Sequence, residues 1–141
     1  MSLVVAQTVT TLPRCIARAR AELDAAGPDF GANLTAQDAA VLNVLRACET
    51  AIDLANMLIR KRRLGIPTET RESFALLARE QIVDLGLAAR LQRMVGFRNL
   101  AVHRYRELVI AIVQAVIRDG LDDLLAFAER VRQQLDDGKK T

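Results

Sequence analysis

Apolar residues recur at alternating spacings of three and four through nearly the whole chain, and this spacing limits the fold more than any other feature of the sequence. It places their side chains on one face of an α-helix. No segment has the strict alternation that is typical of a half-buried strand. The two clearest stripes are Val5, Val9, Leu12, Ile16, Ala19 and Leu23, and Val41, Leu45, Cys48, Ile52, Ala55 and Ile59. We therefore predict an all-α protein, an up-and-down helical bundle of about four to six helices.

The amount of apolar sequence is sufficient for one helical domain. The chain has 141 residues, of which 51% are hydrophobic and only 4% aromatic, so its core would consist mainly of aliphatic side chains. We predict a single domain over residues 1–141. The last six residues, 136–141, read "DDGKKT" and are expected to form a frayed tail.

Several residues indicate where the helices begin and end. Pro13 either lies in the first turn of a restarted helix or kinks a continuous one. Thr35 followed by Asp38 resembles a capping signal at the start of the second helix. Gly65 is the expected C-cap of that helix, and Gly120 is expected to break the C-terminal helical region into two pieces.

The charge balance limits the classes of partner and ligand. A net charge of +3 permits an anionic partner without requiring one. We interpret the basic run in "RKRRLGIP" as a solvated helix end, in preference to a phosphate-binding patch. One histidine and two distant cysteines do not supply the usual ligands of zinc, so we expect no metal and no cofactor.

The cysteines and the hydropathy predict a location. Cys15 and Cys48 are isolated thiols outside any CxxC motif, which is typical of a reducing compartment. No apolar run approaches the roughly 20 residues that a membrane-spanning helix needs. We therefore expect a cytoplasmic protein that makes no contact with a membrane.

The segment "VGFRNLAVHRY", residues 95–105, contains the only histidine and the only tyrosine of the chain. It continues an apolar stripe formed by Leu87, Leu91 and Met94, and the next positions in that register are Arg98, Ala101 and Tyr105. Arg98 is thus in phase with residues that face the core.

A guanidinium that faces the core needs a partner, because burying it alone costs several kcal/mol. The best candidates inside the chain are Glu49 and Asp53, which belong to a polar stripe on the second helix. One interpretation is a structural salt bridge between Arg98 and Asp53. The other is a site in which Arg98 binds an anionic ligand.

The histidine lies on another side of the same helix. Asn99 and His103 are four residues apart and therefore stack along one face. Arg98 and His103 are five apart and diverge by about 140° on an ideal helix. Taken alone, His103 is typical of a surface residue and Tyr105 of a packing residue.

Taken together, the string "RNLAVHRY" resembles the R-N-x-x-x-H-x-Y signature of the HepT toxins, a family within the HEPN group of helical ribonucleases. The flanking "SFALLAREQIVDLGLAARLQRMVGFRN" and "GIPTETRE" extend the resemblance over most of the chain beyond residue 40. It implies a symmetric helical dimer, an endoribonuclease that cleaves RNA without a metal. In this family the antitoxin is an MntA-like nucleotidyltransferase that attaches AMP to the motif tyrosine. Carried over by position, Arg98 and His103 are catalytic, Asn99 supports them, and Tyr105 is the AMPylation site.

The chemistry of RNA cleavage is compatible with these residue types. Attack by the 2′-OH requires a base, an acid and a cation that neutralises the charge developing on the phosphate. A two-fold dimer would supply a second His103 and a second Arg98 to one cleft, with Glu49 and Asp53 as supporting carboxylates. Two other interpretations stay open: a non-catalytic adaptor that binds a nucleotidyltransferase or a nucleotide, and a plain dimerising bundle with a buried Arg98–Asp53 pair.

Overall fold

The computed structural model describes residues 3–139 of the chain, and the side chains of residues 5–135. These residues form helices and connecting turns without a strand, which confirms the all-α prediction. The helices are α1 (Leu3–Ala26), α2 (Leu34–Arg62), α3 (Thr70–Arg79), α4 (Leu85–His103), α5 (Ile110–Ala115) and α6 (Leu121–Lys139). Two 3₁₀ segments, Gly27–Ala32 and Tyr105–Glu107, and a π-helical turn, Val116–Gly120, connect some of them.

The longest helix, α2, is the centre of the bundle. It packs along α1, and it also contacts α3, α4 and α6. The predicted stripes face the core: the one on α2 is buried except for half-buried Leu45, and the one on α1 is buried from Leu12 to Leu23. Phe74 of α3 and Phe127 of α6 meet edge to face, with ring centroids 5.4 Å apart. The core therefore consists mainly of aliphatic side chains, with few aromatic rings.

At three places the structure either corrects a predicted helix boundary or decides between two predicted alternatives. Helix α1 runs through Pro13, so the interpretation of a restarted helix is wrong. The N-cap of α2 is Asn33, whose side chain accepts a hydrogen bond from the Ala36 backbone N–H at 3.0 Å, and Thr35 lies inside the helix. Helix α2 ends before Gly65, because Arg63 adopts the left-handed conformation at φ 54° and closes the helix.

Gly120 does not break the C-terminal helix as predicted. It ends the π-helical turn Val116–Gly120, and the flanking residues Ala115 and Leu121 keep right-handed helical dihedral angles. Helices α5 and α6 thus form one continuous helical segment. The π-helical turn between them is a local bulge, because its hydrogen bonds span five residues instead of four. The frayed tail predicted at 136–141 stays a prediction, because residues 140 and 141 and the side chains of 136–139 lie outside what the structure describes.

None of the helices between residues 3 and 139 is both long enough and apolar enough to cross a bilayer. Two buried cysteines, Cys15 and Cys48, are free thiols.

Replacing Gly120 by alanine should raise the free energy of unfolding by about 0.5–1 kcal/mol, because glycine is costly inside a helix. A Cβ at this position would meet Met94 Sδ at 3.5 Å and the Val116 side chain at 3.7 Å, which are ordinary van der Waals contacts. Urea denaturation of the two proteins measures the change.

The contrasting variant is Gly27→Ala, which should lower the free energy of unfolding by about 1 kcal/mol, because Gly27 has φ +54°. A Gly120→Ala protein that is less stable than the original chain would contradict this account of the π-helical turn.

Candidate functional site

Arg98 lies on the face of α4 that packs against α2 and α3. Its side chain is only 18% exposed, and its Nε is 3.3 Å from Glu49 Oε1. Its Nη2 donates a hydrogen bond of 3.3 Å to Thr70 Oγ1, at the first residue of α3. The prediction that this arginine faces inward toward a carboxylate of α2 is therefore confirmed.

Of the two candidate carboxylates, Glu49 pairs with Arg98, so the interpretation of a structural salt bridge between Arg98 and Asp53 is wrong. Arg98 meets α2 at the level of Glu49, one helical turn before Asp53, whose side chain is exposed. Both carboxylates line a surface cleft of about 780 Å³ between α1 and α2, together with Arg14, Arg18 and Arg46. The supporting roles of Glu49 and Asp53 in catalysis stay predictions.

The Arg98–Glu49 contact is electrostatic and loosely directed. Arg98 Nε is buried, yet it forms no hydrogen bond with any side chain or backbone group that the structure describes. The Glu49 side chain is 52% exposed, so water screens one side of the pair. Glu49 thus neutralises the guanidinium only in part, and the Nε–H of Arg98 has no hydrogen-bond acceptor among the described residues.

Cys48 lies beneath this pair. Burial, and to a smaller extent the charge of Glu49, raise the pKa of the Cys48 thiol to about 12, while the charge of Arg98 acts in the opposite direction. The thiol therefore stays protonated at neutral pH and does not act as a nucleophile.

His103 is the last residue of α4, and its side chain is exposed. Asn99 is half-buried one helical turn earlier on the same side. No hydrogen bond or ion pair within residues 5–135 joins Arg98 to His103, as expected from the angle between them. Within one chain, therefore, the cation and the imidazole lie at the same end of α4 but point in different directions.

Tyr105 lies just beyond α4 and not on its face. Because α4 ends at His103, the tyrosine begins the 3₁₀ segment Tyr105–Glu107, and the predicted continuation of the α4 stripe to Tyr105 is wrong. Its side chain is 41% exposed. The phenolic hydroxyl donates a hydrogen bond to Asp38 Oδ1 of α2. Partial burial, this hydrogen bond and the charge of Asp38 raise the pKa of Tyr105 to about 12.

Three residues near the motif were not predicted from the sequence: Asp38, Thr70 and Cys48. Asp38 and Tyr105 are 67 positions apart, and Thr70 and Arg98 are 28 apart, so no local pattern relates them. The polar stripe of α2 was the one available signal, and it indicated Glu49 and Asp53 equally.

Within the described residues, no group of three or more His, Cys, Asp or Glu side chains could hold a metal ion.

Comparison with known proteins identifies relatives along most of the chain. The model of the family described as ribonuclease HepT-like matches residues 13–131. The chain is 37% identical over 134 residues to the mRNA nuclease HepT of Shewanella oneidensis strain MR-1, which covers 95% of this chain and 100% of the relative.

Solved structures agree with this relationship. The chain resembles the tri-AMPylated HEPN toxin of Shewanella oneidensis, solved in complex with its MNT antitoxin, with a TM-score of 0.88 and 37% identity over 94% of this chain and 99% of the toxin. It also resembles the cytosolic protein YutE of Bacillus subtilis, with a TM-score of 0.80 over 95% of this chain and 90% of YutE. The identity to YutE is 17%, so that likeness concerns the fold alone. The family match and the full-length relative together show that this chain belongs to the ribonuclease HepT-like family.

Proposed function

We propose that this chain is the toxin of a toxin–antitoxin pair, a cytoplasmic endoribonuclease that cleaves RNA without a metal at a site shared by two copies of the chain. A cognate MntA-like nucleotidyltransferase would silence it by attaching AMP to Tyr105. The main supporting observation is that Arg98, His103 and Tyr105 lie at one end of α4 in a chain that matches an mRNA nuclease over nearly its full length. The AMPylated toxin in complex with an MNT antitoxin supports the mode of silencing.

The proposed reaction uses the RNA's own 2′-OH as the nucleophile. One imidazole removes the proton of the 2′-OH as this oxygen attacks the neighbouring phosphorus. A second imidazole donates a proton to the 5′-oxygen as the phosphorus–oxygen bond breaks. The products are a 2′,3′-cyclic phosphate and a free 5′-OH, and the guanidinium of Arg98 neutralises the charge that develops on the phosphate oxygens.

The need for two imidazoles is the reason to propose a dimer. The sequence contains one histidine, so a mechanism in which imidazoles serve as both base and acid at one linkage requires His103 of two subunits. His103 is exposed at the helix end, where a second copy can reach it. Val102, Val109 and Ile112 are large apolar residues that are also exposed near the motif in sequence, which supports burial of this region by another chain.

The Arg98–Glu49 pair is compatible with this role. Glu49 holds the guanidinium in place before RNA binds, and the loose geometry allows a phosphate to compete for its free N–H groups. In the alternative of a non-catalytic adaptor, Arg98 would stay paired with Glu49 and His103 would have no role.

Alanine at Arg98 or at His103 should each lower RNA cleavage at least about 100-fold, because each removes a group that acts in the transition state. The assay follows a defined RNA in the presence of a chelator and identifies 2′,3′-cyclic phosphate ends, with DNA of the same sequence as a substrate that should remain intact. Arg104→Ala is the matched control. Arg104 is also an arginine of the motif, but its side chain is exposed, and its ion pair with Glu107 is long, with 3.7 Å between Nη1 and Oε2. Cleavage that survives either substitution would contradict the role given to that residue, and an original chain that cleaves no RNA would favour the adaptor.

Phenylalanine at Tyr105 should leave cleavage intact and make the protein insensitive to its nucleotidyltransferase, because the hydroxyl that receives AMP is absent. In the original chain, AMP at this position would add negative charge and bulk beside the proposed path of the RNA backbone. Co-expression with the cognate nucleotidyltransferase, followed by RNA cleavage assays and intact mass measurement, tests this. A Tyr105→Phe protein that still loses cleavage activity would exclude Tyr105 as the switch.

A further inference from the structure

The hydrogen bond between Tyr105 and Asp38 joins two distant parts of the chain at the proposed modification site. Asp38 is on α2, and Tyr105 is in the turn after α4. The carboxylate of Asp38 is not used to cap α2, because Asn33 performs that function. It is instead bound by the phenolic hydroxyl, the atom that would receive AMP.

The surroundings of the phenol leave this carboxylate as its proton acceptor. Tyr105 lines a small cleft of about 320 Å³ whose other walls are mostly aliphatic: Leu34, Val41, Leu108, Ile110 and Val113. The polar residues in that lining are Gln37, whose amide donates to the Phe30 carbonyl at 2.7 Å, and Arg106, which is a cation. Neither of these two groups is a base that could accept the phenolic proton.

We infer that Asp38 accepts the proton of Tyr105 when AMP is transferred to this tyrosine. The inference rests on the proposed AMPylation. Tyr105 Oη attacks the α-phosphorus of a nucleoside triphosphate, the bond from that phosphorus to the β-phosphate bridging oxygen breaks, and pyrophosphate leaves. The phenolic proton moves to the Asp38 carboxylate, and because Asp38 is exposed it then passes to water.

A proton acceptor in contact with the phenol answers a chemical need. With its pKa raised to about 12, Tyr105 is almost entirely protonated at neutral pH, and a neutral phenol is a weak nucleophile. The phenolic proton becomes more acidic as the oxygen bonds to phosphorus, so a carboxylate that already accepts its hydrogen bond can remove it during the attack. The toxin would thereby supply part of the chemistry of its own modification.

The test compares AMPylation of the full-length chain with that of Asp38→Asn and Asp38→Ala. Each protein is incubated with ATP and the cognate nucleotidyltransferase, and the initial rate of AMP incorporation is followed by intact mass at several toxin concentrations. We expect kcat to fall about 100-fold in both variants, a loss typical of a missing general base, with KM for the toxin little changed. The control Glu107→Gln removes a carboxylate from the same turn as Tyr105 and should react at the original rate.

Either of two results would overturn the inference. The first is a normal kcat in both Asp38 variants. The second is a lowered kcat in Asp38→Ala with a normal kcat in Asp38→Asn, which would assign Asp38 to positioning alone. Two other results would instead contradict the proposed function: no AMP incorporation into the original chain, or AMP incorporation into Tyr105→Phe.

A second measurement does not depend on the nucleotidyltransferase. The chain has one tyrosine and no tryptophan, so the ultraviolet absorbance of its phenolate reports Tyr105 alone. Titration of the original chain should give a pKa near 12, and Asp38→Asn should lower it toward the ordinary tyrosine value of 10.0. Equal pKa values in the two proteins would show that the carboxylate does not contact the phenol, and would also overturn the inference.

Discussion

The half-buried guanidinium of Arg98 is the constraint on which the rest of the site depends. A cation facing the core is stable only where other elements supply opposite charge or hydrogen-bond acceptors. Glu49 of α2 and Thr70 of α3 do so here, which ties the packing of three helices to the position of one side chain. The pair with Glu49 is loose and partly exposed, and the proposed function uses this looseness to let the same arginine bind a phosphate.

The motif at the end of α4 distributes its arginine, histidine and tyrosine over eight consecutive helical and turn positions, 98–105. Arg98 faces the bundle, His103 faces outward at the helix end, and Tyr105 lies in the next turn, tied to α2 through Asp38. A single chain thus presents a cation and an imidazole that point apart, a geometry that a second copy related by two-fold symmetry would complete. The tyrosine beside them is 41% exposed, so in the proposed function another enzyme can reach it.

Most of the architecture could be predicted from the periodicity of apolar residues, because the period of a helix face is visible in the sequence alone. The stripes of α1 from Leu12, of α2, and of α4 as far as Ala101 face the core as predicted, and the family resemblance in "RNLAVHRY" is confirmed by a relative that the chain matches over 95% of its length. The errors lie where two local signals compete or where contacts are distant. The N-cap of α2 is Asn33 and not Thr35, Gly120 ends a π-helical turn without breaking the helix, and Arg63 adopts the left-handed conformation expected of glycine.

The choice between Glu49 and Asp53 could not be made from the sequence, since both lie on one stripe and only the crossing of α4 over α2 distinguishes them. The contact of Asp38 with Tyr105 was equally inaccessible, because it depends on how the turn after α4 returns to α2.

The central claim, that one RNA linkage needs His103 of two subunits, is tested most directly by mixed dimers. The original chain and His103→Ala are combined in equal amounts at constant total concentration, the subunits are allowed to exchange at random, and RNA cleavage is measured. If both imidazoles act on the same linkage, only dimers of two original chains are active, and the rate falls to about one quarter of that of the unmixed protein. A rate of about one half would show that each subunit cleaves with its own histidine, and would contradict the shared site.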